Sequence, residues 1–449
     1  MQLRTFLFAT LGFYAIQIGS AQTDDRDQLK KELKEEILAE LTLAADSLKK
    51  EDPLFQWSKF TLHGYGVVNY YANDHDTDPD LRNKFDAERL NLYLNYHFNK
   101  TFAFKSEIEI EHGGTGSTLE LDTQEEFGEF ETEIEAGGEI QLEQIYIDIK
   151  ATPWLGIKIG KFKNYFGTAQ NLDTPDEYFT TYRPEMENTL LPVGFYETGV
   201  DFYGTFAKRF NYHLAVTSGF DSSGFSSRNW IRGGQQTKFE MVNADALALM
   251  TRLDYKFGTH KNTYAGVAFY IGDAAANRPK DDINETAYVT MAEAHITIDE
   301  HPWRFSTMGL YGQVENSALI SQRNANLPNA LGAKRTPVGK NAVGFSAELG
   351  YDILPLLVNN TKNMMLYPFV RYDYYDTMHR VESPVINNPR WERNSYTGGI
   401  NWFIHPQIIL KTQYNYKKLG SMHNDPTTLE PTGEKQVDRT FSTGVGFRF

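Results

Sequence analysis

A period of two in side-chain character, returning about sixteen times along this chain, leaves it few folds to choose from. In 88–98, Leu90, Leu92, Leu94, Tyr96 and Phe98 share one face while Arg89, Asn91, Tyr93, Asn95 and His97 share the other. Phe102, Phe104, Ile108 and Ile110 oppose Lys105, Glu107, Glu109 and Glu111, and Ile408, Leu410, Thr412, Tyr414 and Tyr416 oppose Lys411, Gln413, Asn415 and Lys417. Such segments are strands with one apolar and one polar face. A soluble sandwich alternates too, so the connections must decide. Strands are expected at about 59–71, 86–98, 101–112, 140–151, 155–163, 195–206, 210–219, 245–257, 262–272, 285–298, 303–314, 342–353, 365–376, 393–404, 408–417 and 438–449. After each even strand the connection is mostly a few residues, as at 99–100, 152–154, 207–209 and 405–407, with 354–364 the longer exception. After each odd strand it runs to roughly ten to thirty.

Short turns at one rim and long loops at the other are the topology of an all-β, transmembrane, up-and-down antiparallel β-barrel of about 16 strands in a Gram-negative outer membrane. Lipid demands closure, because an open sheet edge leaves backbone groups unsatisfied. At this strand number the interior is too wide for side chains to fill, so it encloses water. Glycine (35 residues) and aromatics (14%), the latter concentrated toward strand ends on the apolar faces, fit the same reading. Outer-membrane lipid and lipopolysaccharide are then partners.

The two ends agree. Arg4, the apolar stretch 6–18 and the small residues Gly19, Ser20 and Ala21 read as a signal peptide over 1–21, too short for a spanning helix. The last strand sets Phe441, Thr443, Val445, Phe447 and Phe449 against Ser442, Gly444, Gly446 and Arg448, and the chain stops on an aromatic residue. Between signal and barrel (54–449), segment 22–53 carries Leu29, Leu33, Ile37, Leu41, Ala45 and Leu48 at helical spacing before Pro53. It reads as a short periplasmic helix, either a coiled coil that docks a periplasmic partner or a solvated helix.

A net charge of −15 invites a cation-channel reading, but the charge is local. Loop 113–139 holds nine acids and no base, and 24–52 holds ten acids and six bases, leaving roughly −3 for the rest. In that loop Glu129, Glu131, Glu133 and Glu135 alternate with Phe130, Thr132 and Ile134, which predicts a hairpin, either solvated or binding divalent cations shared with lipopolysaccharide.

The third long loop, 164–193, is the candidate pore constriction. Its Asp173, Asp176, Glu177, Tyr178, Tyr182, Arg183, Glu185 and Glu187 would set opposite charges around a narrowed lumen. Lumen-facing bases are expected at Arg89, Lys105, Arg252, Arg371, Lys411, Lys417 and Arg439, and acids at Glu107, Glu109, Asp201, Asp254, Glu293, Glu348 and Asp373. Period-two neighbours such as Arg252 with Asp254 and Arg371 with Asp373 can pair to stabilise the wall or tune selectivity. The absence of cysteine excludes a disulfide framework, a thiolate metal site and an N-terminal lipid anchor. No zinc-spaced histidines, nucleophile elbow or phosphate-cradling glycine loop is present, so no enzyme, metal or cofactor is expected, and no nucleic-acid partner.

Several stretches carry a family likeness: IKIGKFKNYFG (157–167), YRPEMENTLLPVGFYETGVDFYG (182–204), AELGYDIL (347–354), YPFVRYDYYD (367–376) and GINWFIHPQIILKTQYNY (399–416). They resemble the phosphate-selective porin O and P family of outer-membrane porins. The resemblance implies a 16-stranded general or anion-selective porin, a homotrimer whose third loop folds into the channel, passing small hydrophilic solutes or ions such as phosphate. The net-acidic third loop and the mixed charges of the lumen depart from the arginine ladder and lysine cluster of phosphate-selective members. The function expected is a porin for passive diffusion of small hydrophilic solutes. The alternative is a non-conducting barrel that acts as a scaffold or receptor.

Overall fold

The computed structural model describes residues 56–449 except 115–117, 127–128, 136–137, 169–173, 193, 237–241, 261, 328–335, 360–362 and 421–434, together with Lys31, Lys34, Glu35 and Ala39. For 118–126, 129–135 and 139 it describes the backbone alone. The expected signal peptide, 1–21, lies outside the described residues. Of segment 22–53, the four described residues are helical and exposed, and the rest lie outside.

The chain forms β1 (Phe60–His75), β2 (Lys84–His97), β3 (Phe102–Glu111), β4 (Thr118–Glu126), β5 (Glu129–Glu135), β6 (Glu139–Thr152), β7 (Leu155–Lys163), β8 (Tyr196–Phe206) and β9 (Phe210–Ser218). It continues with β10 (Leu247–Lys256), β11 (Tyr264–Asp273), β12 (Tyr288–Glu300), β13 (Trp303–Val314), β14 (Asn341–Tyr351), β15 (Met365–Arg380), β16 (Glu392–His405), β17 (Ile408–Leu419) and β18 (Val437–Arg448). Among the described residues, three short α-helices lie between strands: α1 (Glu185–Leu190), α2 (Ser317–Ala325) and α3 (Leu354–Leu357). Sixteen strands close into one antiparallel barrel, and β4 and β5 pair separately as a hairpin within the acidic loop. Each of the sixteen expected strands has its counterpart.

Closure follows from the register of the first and last strands. β1 pairs with β18 from Tyr65 opposite Arg448 to His75 opposite Asp438. The amide of Phe449 donates to the Gly64 carbonyl at 2.9 Å, and the Gly64 amide donates to the Phe449 carbonyl at 3.0 Å. The terminal phenylalanine thus completes the seam, and no backbone edge is left to lipid.

Alternation decides what faces outward. On β17, Leu410 and Tyr414 are 38% and 48% exposed, while Lys411 and Gln413 between and beside them are 3% and 2% exposed. Trp154, Phe206, Tyr255, Trp303 and Trp402 stand outward near the short-turn end, and Phe85, Tyr288 and Tyr311 near the loop end, as two aromatic girdles require.

On β6 the outward residues run Ile140, Leu142, Ile145, Ile147 and Ile149, skipping a step after Leu142. The register against β3 shifts at that point, with Glu107 opposite Gln144 and Ile108 opposite Leu142. This is a β-bulge, and it turns both Glu143 and Gln144 toward the lumen.

The interior is less polar than the alternation predicts. Ala248 and Met250 of β10, Tyr270 of β11, Val289 and Met291 of β12, Met308 and Leu310 of β13 and Ala342 of β14 all point inward in the loop-side half and are fully or almost fully buried. They pack against Met186, Leu190 and Leu191 of the third loop and Phe220, Phe225, Trp230 and Ile231 of the fourth. These strands are therefore apolar on both faces over part of their length, because lipid covers one face and inserted loops cover the other. Burying each such large side chain is worth about 1.5–3 kcal/mol.

Candidate functional site: the third loop across the lumen

After β7 the third loop enters the barrel. Arg252 on β10 donates to the Gly167 carbonyl at 2.9 Å, which fixes the start of the loop at mid-height on that wall. From Thr174 the loop lies against the opposite wall, near the turn end. Arg448 pairs with Asp176 at 3.1 Å, and Arg304 of β13 donates to the carbonyls of Asp176 and Glu177 at 3.0 and 2.8 Å. Lys411 of β17 donates to the carbonyls of Tyr178 and Thr180 at 2.7 and 2.8 Å, with its ammonium 4.0 Å from the Tyr178 ring centre. Asn401 of β16 donates to the Phe179 carbonyl, and the Thr181 amide donates to Gln413. Asn69 of β1 donates to the Thr181 carbonyl, and Arg89 of β2 donates to the Tyr178 hydroxyl at 2.9 Å. Non-helical backbone within the barrel is tolerable only if its polar groups are satisfied, and the inward Lys, Arg, Asn and Gln side chains do this.

The loop then rises into α1. Glu185 accepts from Tyr375 at 2.7 Å and Ser395 at 2.9 Å and pairs with Lys417 at 3.2 Å. Burial opposes its charge, but Lys417 and those two donors outweigh burial and hold the carboxyl below its ordinary range. Glu187 is fully buried and accepts from Thr168 within the loop. Tyr182 lies beside Tyr71 of β1, with ring centres 6.3 Å apart, and Arg183 is buried. Asp173 lies outside the described residues.

Inward glycines receive the loop. A Cβ at Gly350 would strike the Phe179 ring, one at Gly344 would strike Met186 and Leu190, and one at Gly446 would strike Pro175. Phe179 is also held between Phe369, stacked at 5.2 Å, and the Arg304 guanidinium at 4.9 Å. Gly350→Val is expected to force Phe179 out of this socket and to destabilise the barrel by about 1–3 kcal/mol. Denaturant unfolding in detergent checks this, and an unchanged midpoint would show that the socket is not needed.

Of the lumen-facing bases read from the sequence, Arg89, Lys105, Arg252, Arg371, Lys411 and Lys417 lie on inward positions. Arg439 does not. It shares parity with the outward Phe441, pairs across the seam with Asp74 at 3.3 Å and lies over the Tyr416 ring on the outer rim. The expected acids Glu107, Glu109, Asp201, Asp254, Glu293, Glu348 and Asp373 are all buried inward. Most are engaged. Arg252 binds Asp254 at 2.9 Å, and His295 lies between Asp254 (2.9 Å) and Glu293 (2.8 Å). Arg371 binds Asp373 at 2.8 Å and Glu348 at 3.4 Å, and Asp201 takes Lys158 at 3.3 Å and His213 at 2.9 Å. The sequence reading missed Glu88, Glu143, Lys158 and Asn401. The skipped step at Leu142 was the one available signal for Glu143.

On the turn side of the loop lie two hollows. One of about 840 Å³ is lined by Lys100, Lys150, Tyr165, Tyr203, His213 and Lys256 among others. A second of about 550 Å³ is lined by Asp176, Glu177, His301, Arg304, Asp352 and Arg448 among others. The third loop thus divides the lumen from vestibules that open at the turn rim.

No family model matches the chain. An uncharacterized protein of Aquifex aeolicus (strain VF5) is 26% identical over 358 residues, which cover 79% of this chain and 74% of that one. Among solved structures, Salmonella typhi OmpF in complex with daunomycin superposes with a TM-score of 0.51 at 8% identity, covering 87% of this chain and 97% of that one. The anion-selective porin from Comamonas acidovorans gives 0.50 at 10% identity, covering 87% and 99%. At such identities the likeness is one of fold: a closed sixteen-stranded barrel of the kind found in the outer membranes of Gram-negative bacteria.

Proposed function

We propose that the protein is an outer-membrane porin through which small hydrophilic solutes and ions diffuse passively, with the third loop as its constriction. The observation that carries this reading is the path of residues 174–190, held inside the lumen by Arg89, Arg304, Asn401, Lys411 and Lys417 from four different strands. A barrel of this width conducts unless something crosses it, and a loop fixed at so many points narrows the passage to a defined gauge. Phosphate preference is not part of the proposal. Binding a phosphate would need arginines or lysines free to face it, whereas Arg252, Arg371 and Lys158 are paired with carboxylates and Lys411 with loop carbonyls.

Reconstitution in a planar bilayer tests the reading. Discrete ohmic conductance steps are the expected result, and a folded, inserted chain that gives none at any voltage overturns it.

A further inference from the structure

On the porin reading, flow is decided at the level of the third loop, and at that level the lumen is shut. Near its middle each of the sixteen strands carries an inward side chain no more than 6% exposed, from Asn69 of β1 and Glu107 of β3 round to Gln413 of β17 and Ser442 of β18. A wall that lines an open passage is wetted, and this one is dry all the way round. The loop fills the centre in the same way, with Phe179, Thr181, Arg183 and Glu187 at most 5% exposed.

The closure is made by two arms of unequal hold. The second arm, 174–190, is fastened to β1, β2, β13 and β15–β18 by the contacts given above. The first arm, 164–168, leaves the end of β7, and its hold on the wall is narrower. Arg252 of β10 donates to the carbonyls of Gly167 at 2.9 Å and Tyr165 at 3.4 Å, and the Tyr165 ring stacks on His213 of β9 at 4.4 Å. The arms meet where the Thr168 hydroxyl donates to the Glu187 carboxylate. Gly167, at a φ of +88°, permits the approach, because a Cβ there would strike Glu187. On the turn side Tyr165 borders the hollow of about 840 Å³, which leaves the first arm room to swing.

An independent observation concerns the energy of the shut arrangement. Asn164, where the first arm begins, is fully buried, and neither its Oδ1 nor its Nδ2 has a hydrogen-bond partner. A buried amide with both ends unmet bears its desolvation cost without return, and the cost is relieved once water reaches it. The shut state alone carries that cost, so the equilibrium is biased toward opening.

We infer that residues 164–168 form a gate, hinged at Asn164, which latches shut on Glu187 of the second arm and opens by swinging toward the turn-side hollow. The inference rests on the porin reading.

The test is single-channel recording of the full-length chain in a planar bilayer, with open fraction and unit conductance read separately. Thr168→Val removes the latch donor at nearly unchanged volume and is expected to raise the open fraction roughly fivefold or more. Asn164→Leu removes the orphaned amide and is expected to lower the open fraction by a similar factor. Unit conductance is expected to stay the same in both, which a general loosening of the barrel would not give. The chain has no cysteine, so Thr168→Cys with Glu187→Cys supplies a single pair whose oxidation should hold the gate shut and whose reduction should free it. Open fractions unchanged in both single variants, or an oxidised pair that conducts as the reduced pair does, overturn the gate and leave the porin reading standing. Absence of steps from every variant, the reduced pair included, overturns the porin reading itself. If the cysteine pair does not insert, the opposite shifts of the two single variants carry the comparison.

Discussion

Excising residues 175–191 and bridging the ends with a short glycine–serine connector should raise the single-channel conductance roughly threefold or more, toward that of an unobstructed sixteen-stranded barrel. The segment crosses the lumen and is joined to β1, β2, β13, β15, β16, β17 and β18 by side-chain hydrogen bonds and two ion pairs. None of those bonds belongs to the barrel wall. Every adjacent pair from β13 through β18 is held by its own antiparallel ladder, as is the β18–β1 seam, so the wall survives loss of the loop. What the excision exposes is the inward apolar patch of Met250, Met308 and Leu310, which would face water in place of Met186 and Leu190. That exposure costs stability and leaves the channel geometry in place. Single-channel recording decides the matter: conductance equal to that of the intact chain would show that the loop does not limit flow.

How far the sequence reveals this architecture follows from the range of the interactions. Pleating is local, so period two located all sixteen strands, and the alternation of short and long connections gave the topology. The parity of Glu107, Glu109, Arg371 and Lys411 was readable for the same reason. Arg439 was misassigned against that rule, since its parity with Phe441 already turned it outward. The apolar patch was visible only as runs such as 247–250, where Leu-Ala-Leu-Met breaks the alternation, and its cause lies in loops distant in sequence. The docking of the third loop depends on glycines at 344, 350 and 446 and on donors from β1, β2, β13, β15, β16, β17 and β18. Nothing local marks Lys411 as a clamp for the Tyr178 and Thr180 carbonyls more than two hundred residues away. The bulge lies between these extremes. Its skipped step is in the sequence, but its consequence, a buried carboxylate at Glu143 turned to the inner side of β6, needs the pairing with β3 to be drawn.

Arg371→Met is expected to destabilise the barrel by about 3–5 kcal/mol, the cost of leaving a buried charge without its partner. The guanidinium is buried between Asp373 at 2.8 Å and Glu348 at 3.4 Å, and both carboxylates are themselves shielded from water. Methionine fills much of the volume, so the loss isolates charge from packing. Arg439→Met is the matched control. That arginine faces Asp74 and Asp76 on the exposed outer rim, where ion pairs contribute about 0–1 kcal/mol. Adding Asp373→Leu to Arg371→Met should recover most of the deficit, because a buried pair replaced by apolar residues of similar size is often neutral, and only Glu348 then remains uncompensated. Denaturant midpoints of the four proteins in one detergent measure this ordering. Should Arg371→Met unfold no earlier than Arg439→Met, the inward pairs are not what holds this wall. Their charges would then be available to the passage, and the mixed-sign lumen would have to be counted whole. The expected order, with the double variant well above Arg371→Met, keeps those pairs in the wall, where the guanidinium and its carboxylates hold one another.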